Sequence, residues 1–176
     1  MAAAGALERD GTVDCSGVLI APALVLTAAH CVANRKLEAE GGEDTILFRT
    51  GAYPGHPSVT RRAIRRMLHP IYQAGRALPG HPTGADIALL ALDEEIPETV
   101  ARPLTQGPAV ASGERVLIAS YPGGKGLRAR ERRCPANEGR GTVARLSCQV
   151  RPGESGAPVV RLSPEGPELA GIVVAA

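Results

Sequence analysis

The sequence has no tryptophan, one phenylalanine and three tyrosines in 176 residues. A core of packed rings is therefore excluded, and Val, Leu, Ile and Ala must fill the interior. There is no apolar run of about 18 residues, the length a membrane-spanning helix needs. No C-x-x-C or H-x-x-x-H spacing occurs, which argues against a zinc site. Charge of one sign is also missing: 20 bases against 18 acids leave a net charge of +2, too little to mark a polyanion binder. Met1 to Arg9 has neither the basic start nor the long apolar stretch of an export signal.

Glycine and proline are abundant instead. Twenty-one glycines and 15 prolines make about a fifth of the chain, against a usual share of about 12%. They show no three-residue period, which excludes collagen, and the prolines exclude a coiled coil. Turn residues at this density favour many short elements over long helices. Four cysteines fall as two local pairs, Cys15 with Cys31 and Cys134 with Cys148. An even count in such pairs points to two disulfides and an oxidising compartment, with buried free thiols as the alternative.

The apolar runs are short and strand-like. Val18–Ile20 and Leu24–Leu26 flank a turn at Ala21–Ala23, and Thr45–Thr50 and Val59–Leu68 follow. Ile87–Leu92 is a continuous apolar run that fits a strand buried on both faces. Asp93 to Pro108 is polar and proline-containing and reads as a linker. After it, strands are expected at Arg115–Ala119, Gly141–Val150, Val159–Leu162 and Leu169–Val174. The only helical signal is a single turn near Ala28 to Val32. This pattern predicts an all-β sandwich or barrel. Arg61, Arg62, Arg65 and Arg66, and the stretch Lys125 to Arg133, are basic patches without interleaved aromatics. They read as solvated surface rather than a nucleic-acid site.

Three segments carry chemistry: Leu26-Thr27-Ala28-Ala29-His30-Cys31, Gly84-Ala85-Asp86-Ile87-Ala88, and Gly153-Glu154-Ser155-Gly156-Ala157-Pro158. Each alone is an ordinary loop. Together they place a base, an orienting carboxylate and a hydroxyl nucleophile in the order His, Asp, Ser.

These segments, with Cys15-Ser16-Gly17, His69-Pro70-Ile71-Tyr72 and Leu169–Val173, resemble the chymotrypsin-like (trypsin-like) serine peptidases. The placing of Cys148 before Ser155, with Cys134 as its partner, looks most like the bacterial glutamyl-endopeptidase-like branch. The resemblance implies two antiparallel six-stranded β-barrels, at residues 1–98 and 99–176, the second incomplete at its C-terminal end. It implies His30 as general base and acid, Asp86 as the group fixing its tautomer, and Ser155 as nucleophile. The backbone N–H groups of Gly153 and Ser155 would form the oxyanion hole. It also implies disulfides Cys15–Cys31 and Cys134–Cys148.

The implied function is a secreted or periplasmic serine endopeptidase acting on polypeptides, with no metal, cofactor, nucleic acid or membrane involved. The alternative is a catalytically silent member serving as a binding module. The chain departs from the family in several places. Glu154 stands where zymogen-activated members have Asp, and no Ile-Val-Gly-Gly segment exists to pair with it; Glu154 reads as a solvated or Arg-paired loop acid. Gln149 stands where trypsin-like members carry Asp. Val150 and Val173 stand where glutamyl-specific members place a hydroxyl and a His. With Val174 these residues line the expected specificity pocket, and they favour a small or apolar side chain. The substrate-pairing edge is expected at Val174–Ala176.

Overall fold

The structure is a computed structural model and describes residues 1–51, 57–72, 83–125 and 127–174. Ala175 and Ala176 of the expected substrate edge lie outside the described residues.

The first strands form around a tight turn. β1 (Ala4–Arg9) and β2 (Thr12–Ala21) are joined by Asp10-Gly11, and both residues have positive φ, 50° and 72°. Asp-Gly is the pair favoured in a two-residue hairpin of this hand. β3 (Leu24–Thr27), β4 (Leu47–Thr50), β5 (Val59–Leu68) and β6 (Ala88–Leu92) complete a closed antiparallel barrel in the order β1-β2-β3-β6-β5-β4. Closure leaves no edge strand. The lone Phe48 is wholly buried within it. A Cβ on Gly5 would lie 2.4 Å from the Phe48 ring, so the glycine makes room for the one large ring in an aliphatic core.

β6 corrects one expectation. Ala88, Leu90 and Leu92 are buried, while Leu89 and Ala91 are half-buried. β3 and β5 pair with its two edges, and only one of its faces points into the barrel.

The second half is an antiparallel sheet of five strands in the order β11-β10-β7-β8-β9. The strands are β7 (Arg115–Ser120), β8 (Arg130–Arg140), β9 (Val143–Leu146), β10 (Pro158–Ser163) and β11 (Gly166–Ile172). The second barrel, expected to be incomplete, is among the described residues an antiparallel sheet of five strands whose outer strands β9 and β11 do not pair with each other, consistent with the double-barrel class. The expected strand 141–150 shrinks to β9, since Gly141 turns the chain at φ 59°. β8, 11 residues long, grows out of the stretch read as solvated basic surface.

The segment between the halves is packed down. Ile96, Ala101 and Leu104 are buried. The Leu104 N–H donates to Leu19 O at 2.9 Å, and the Leu169 N–H to Thr105 O at 2.8 Å. It therefore touches the barrel through β2 and the sheet through β11. Among the described residues no α-helix occurs; three short 3-10 turns lie at Ala29–Cys31, Glu38–Glu40 and Thr83–Ala85.

Candidate active site

His30 is carried by the first of these turns. Ala28 and Ala29 are small and wholly buried, so the chain leaving β3 sinks into the core and turns His30 outward. The Cys15–Cys31 disulfide ties this turn to β2. A closed loop of this size stabilises by roughly 3 kcal/mol in the chain-entropy account.

Asp86 sits between the turn Thr83–Ala85 and β6. Its side chain is only 15% exposed, whereas that of His30 is 40% exposed. Both carboxylate oxygens go to His30. Oδ1 accepts the His30 backbone N–H at 2.8 Å, and Oδ2 lies 2.6 Å from Nδ1. An ionised carboxylate only accepts, so the proton sits on Nδ1 and Nε2 presents its lone pair. Tyr72 lies nearby. Burial first, and the Asp86 charge second, raise its hydroxyl above the ordinary value of 10.0.

Ser155 lies on a loop with two left-handed glycines, Gly153 at φ 89° and Gly156 at φ 81°. β2 holds one side of this loop: the Ser16 N–H donates to Ser155 O at 2.7 Å, and Ser16 Oγ to Gly153 O at 2.9 Å. The segment after β11 holds the other, through Gly156 N–H to Val173 O at 2.7 Å. The Gly153 and Ser155 N–H groups themselves donate to no acceptor among the described residues. The residue after His30 reaches the loop, with Cys31 Sγ 4.0 Å from Ser155 O.

The residues expected at the specificity pocket separate. Val150 and Val173 join one apolar cluster with Val116, Ile118 and Ala157. Gln149 is exposed and Val174 half-buried. Cys134 and Cys148 are bonded, which ties β8 to the segment leading to Ser155. Glu154 is not solvated: it is wholly buried and paired with Arg132. Arg132 and Ser16 escaped the sequence reading. Ser16 stood inside a recognised stretch, but its partners come from the other half of the chain.

Cys15, His30 and Cys31 gather their ligand atoms within 4.8 Å. The two sulfurs are bonded to each other, so this group offers one imidazole rather than a metal-binding set.

The trypsin-like peptidase domain family matches residues 15–166, a stretch that includes His30, Asp86 and Ser155. The chain belongs to that family. Two human proteins show the relationship directly. Kallikrein-10 from Homo sapiens is 35% identical over 111 residues, 62% of this chain and 35% of its own length. Granzyme M from Homo sapiens is 35% identical over 119 residues, 65% of this chain and 42% of its own length. The chain therefore matches less than half the length of either relative. This trypsin-like peptidase domain has two disulfides, consistent with an extracellular location.

Proposed function

We propose that the chain is a serine endopeptidase that hydrolyses polypeptides through an acyl-enzyme. One observation carries the reading: His30 takes both oxygens of Asp86 beside a serine loop whose Gly153 and Ser155 N–H groups meet no acceptor among the described residues. Ser155 Oγ attacks the scissile carbonyl while His30 Nε2 takes its proton. The carbonyl oxygen becomes an oxyanion held by the Gly153 and Ser155 N–H groups. His30 then returns the proton to the leaving amine, the C–N bond breaks, and an ester to Ser155 remains. Water then attacks the ester as His30 takes its proton; the bond from Ser155 Oγ to the acyl carbon breaks, Oγ takes the proton back from His30, and the acid is freed. Each oxyanion donor supplies about 3–4 kcal/mol of transition-state stabilisation.

Residues 1–98 supply the base and its carboxylate in this reading, and residues 99–176 the nucleophile. The pocket favours a small or apolar side chain, because Val150 and Val173 carry neither charge nor hydroxyl. The Cys134–Cys148 bond ahead of Ser155 keeps the bacterial glutamyl-endopeptidase-like branch as the proposed nearest kin, and the domain acts outside the reducing cytosol.

Covalent labelling tests the reading. A fluorophosphonate should modify intact protein at Ser155, and Ser155→Ala should abolish the adduct seen by mass spectrometry. Folded protein that ignores the probe would instead be a silent binding module.

A further inference from the structure

The His30 side chain is 40% exposed, so packing alone does not aim its ring. Its direction comes from Asp86 and from the backbone turn Ala29–Cys31 that carries it. The entry to that turn is held by strand pairing: Thr27 of β3 stands opposite Ala88 of β6, just beyond Asp86. The exit has no such support, because residues 32–36 lie in no strand. The last carbonyls of a helical turn also find no partner within the turn. A side chain from another strand takes them. Arg66 Nη1 donates to Val32 O at 2.8 Å and to Ala33 O at 2.6 Å. The guanidinium is itself braced by Glu40: Nε donates to Oε2 at 3.1 Å, and the Arg66 backbone N–H to Oε1 at 3.2 Å. Arg66 stands on β5 opposite Leu90, and β6 lies between β3 and β5. The chain into His30 is thus tied to one side of the strand that Asp86 begins. The chain out of His30 is tied, through Arg66, to the other.

We infer that Arg66 is a positioning residue, which grips the Val32 and Ala33 carbonyls from β5 and so holds the His30 turn with Nδ1 on Asp86 and Nε2 free for proton transfer. This rests on the reading of His30 as the base. The Cys15–Cys31 disulfide holds the same turn toward β2 and leaves the residues after Cys31 to this arginine. A planar guanidinium reaches two carbonyls and a carboxylate together, which a single ammonium cannot do in the same geometry. Without it the two carbonyls turn to water, the exit relaxes, and the His30 ring leaves Asp86 for part of the time.

Two measurements on the whole chain test this, both at one pH and well below each variant's melting midpoint. One is kcat and KM on a peptide ester. The other is the proton resonance of His30 Nδ1–H in protein carrying isotope-labelled histidine, assigned by its loss in Asp86→Ala. Arg66→Met keeps the length of the side chain and removes its donors. It should lose about ten- to a hundredfold in kcat, the scale of a small misplacement at the reacting atoms, with KM changed by no more than about twofold. Its Nδ1–H resonance should broaden as water reaches the bond. Arg66→Lys should recover part of both, and Glu40→Gln, which keeps the carbonyl grip without the brace, should show a smaller loss of the same kind. Should Arg66→Met fail to fold, the lysine and Glu40 variants carry the comparison. Wild-type kcat in the folded arginine variants, or lowered kcat with an unchanged resonance, overturns the inference and leaves Arg66 a purely structural partner of Glu40. The resonance needs no turnover: an inactive wild type whose Nδ1–H still broadens in the variants defeats the peptidase reading and leaves Arg66 as the holder of His30.

Discussion

Asp86 spends both oxygens on one neighbour, so a change of that carboxylate acts directly on His30. In Asp86→Asn the amide can offer an N–H to Nδ1, which moves the imidazole proton to Nε2 and removes the base. We expect kcat to fall by about 10⁴-fold while the thermal midpoint barely moves, since the shape of the side chain is kept. A loss under tenfold would mean that the pair does not set the tautomer. Gly156 is constrained in another way. Its φ is 81°, and a Cβ there would lie 2.1 Å from Ser16 O and 2.2 Å from Thr27 Oγ1. Neither the backbone oxygen nor the buried Thr27 can withdraw, so Gly156→Ala should cost about 2–4 kcal/mol in denaturant unfolding. His30, Asp86 and Ser155 could be proposed from the sequence because each sits in a short contiguous pattern. Arg132 was not. Its carboxylate partner is brought to it by strand pairing and loop folding, and in sequence it stands in a charged run.

Elements repeat that lesson on a larger scale. β5 was legible from end to end, because the run Val59–Leu68 stops at His69-Pro70. β8 was hidden: Arg130, Glu131, Arg132 and Arg133 present no apolar period, yet Cys134 and Ala136 are buried and Arg132 is turned to a buried acid. Three of the four β5 arginines are likewise engaged, with Arg61 near Glu94, Arg62 near Asp93, and Arg66 on Glu40. Arg66 also donates to the carbonyls of Val32 at 2.8 Å and Ala33 at 2.6 Å, clamping the chain just after His30. Burial pushes the Glu40 carboxyl up, but the Arg66 hydrogen bonds and charge outweigh this and hold it below its ordinary value of 4.5. A carboxyl lowered on folding stabilises above its unfolded value, and that stability is lost as pH falls through the folded one. Glu40→Gln should therefore lower stability by about 1 kcal/mol at pH 7, with the difference shrinking as pH falls below 4.5. Thermal melts on either side of that pH measure it; an equal loss on both sides would assign the effect to packing.

At the scale of the whole molecule, the all-β class followed from turn density and short apolar runs, and the expected division into two halves followed from the linker read at Asp93 to Pro108. The packing of the halves on each other did not, because it depends on residues far apart in sequence. One apolar cluster contains Leu19 and Phe48 from the barrel, Leu117, Val160 and Leu169 from the sheet, and Ile96, Ala101 and Leu104 from the segment between. Tyr121 is wholly buried in a second cluster with Ala4, Ala6 and Val13 across the same junction. Ser16 adds polar ties, its Oγ accepting the Tyr121 N–H at 3.0 Å and donating to Gly153 O. Neither half keeps its core closed if the other leaves. The protein should therefore unfold in one calorimetric transition whose van't Hoff and calorimetric enthalpies agree. Leu104→Ala tests the joint, since this side chain is buried beside both halves. Its loss should cost about 2–4 kcal/mol through the cavity it leaves. For a chain of this length that lowers the midpoint by roughly 4–16 °C, and the transition should stay single. Two resolved transitions in the wild type, or a variant in which only one half melts early, would show that the barrel and the sheet are independent units and that the segment between them is a tether.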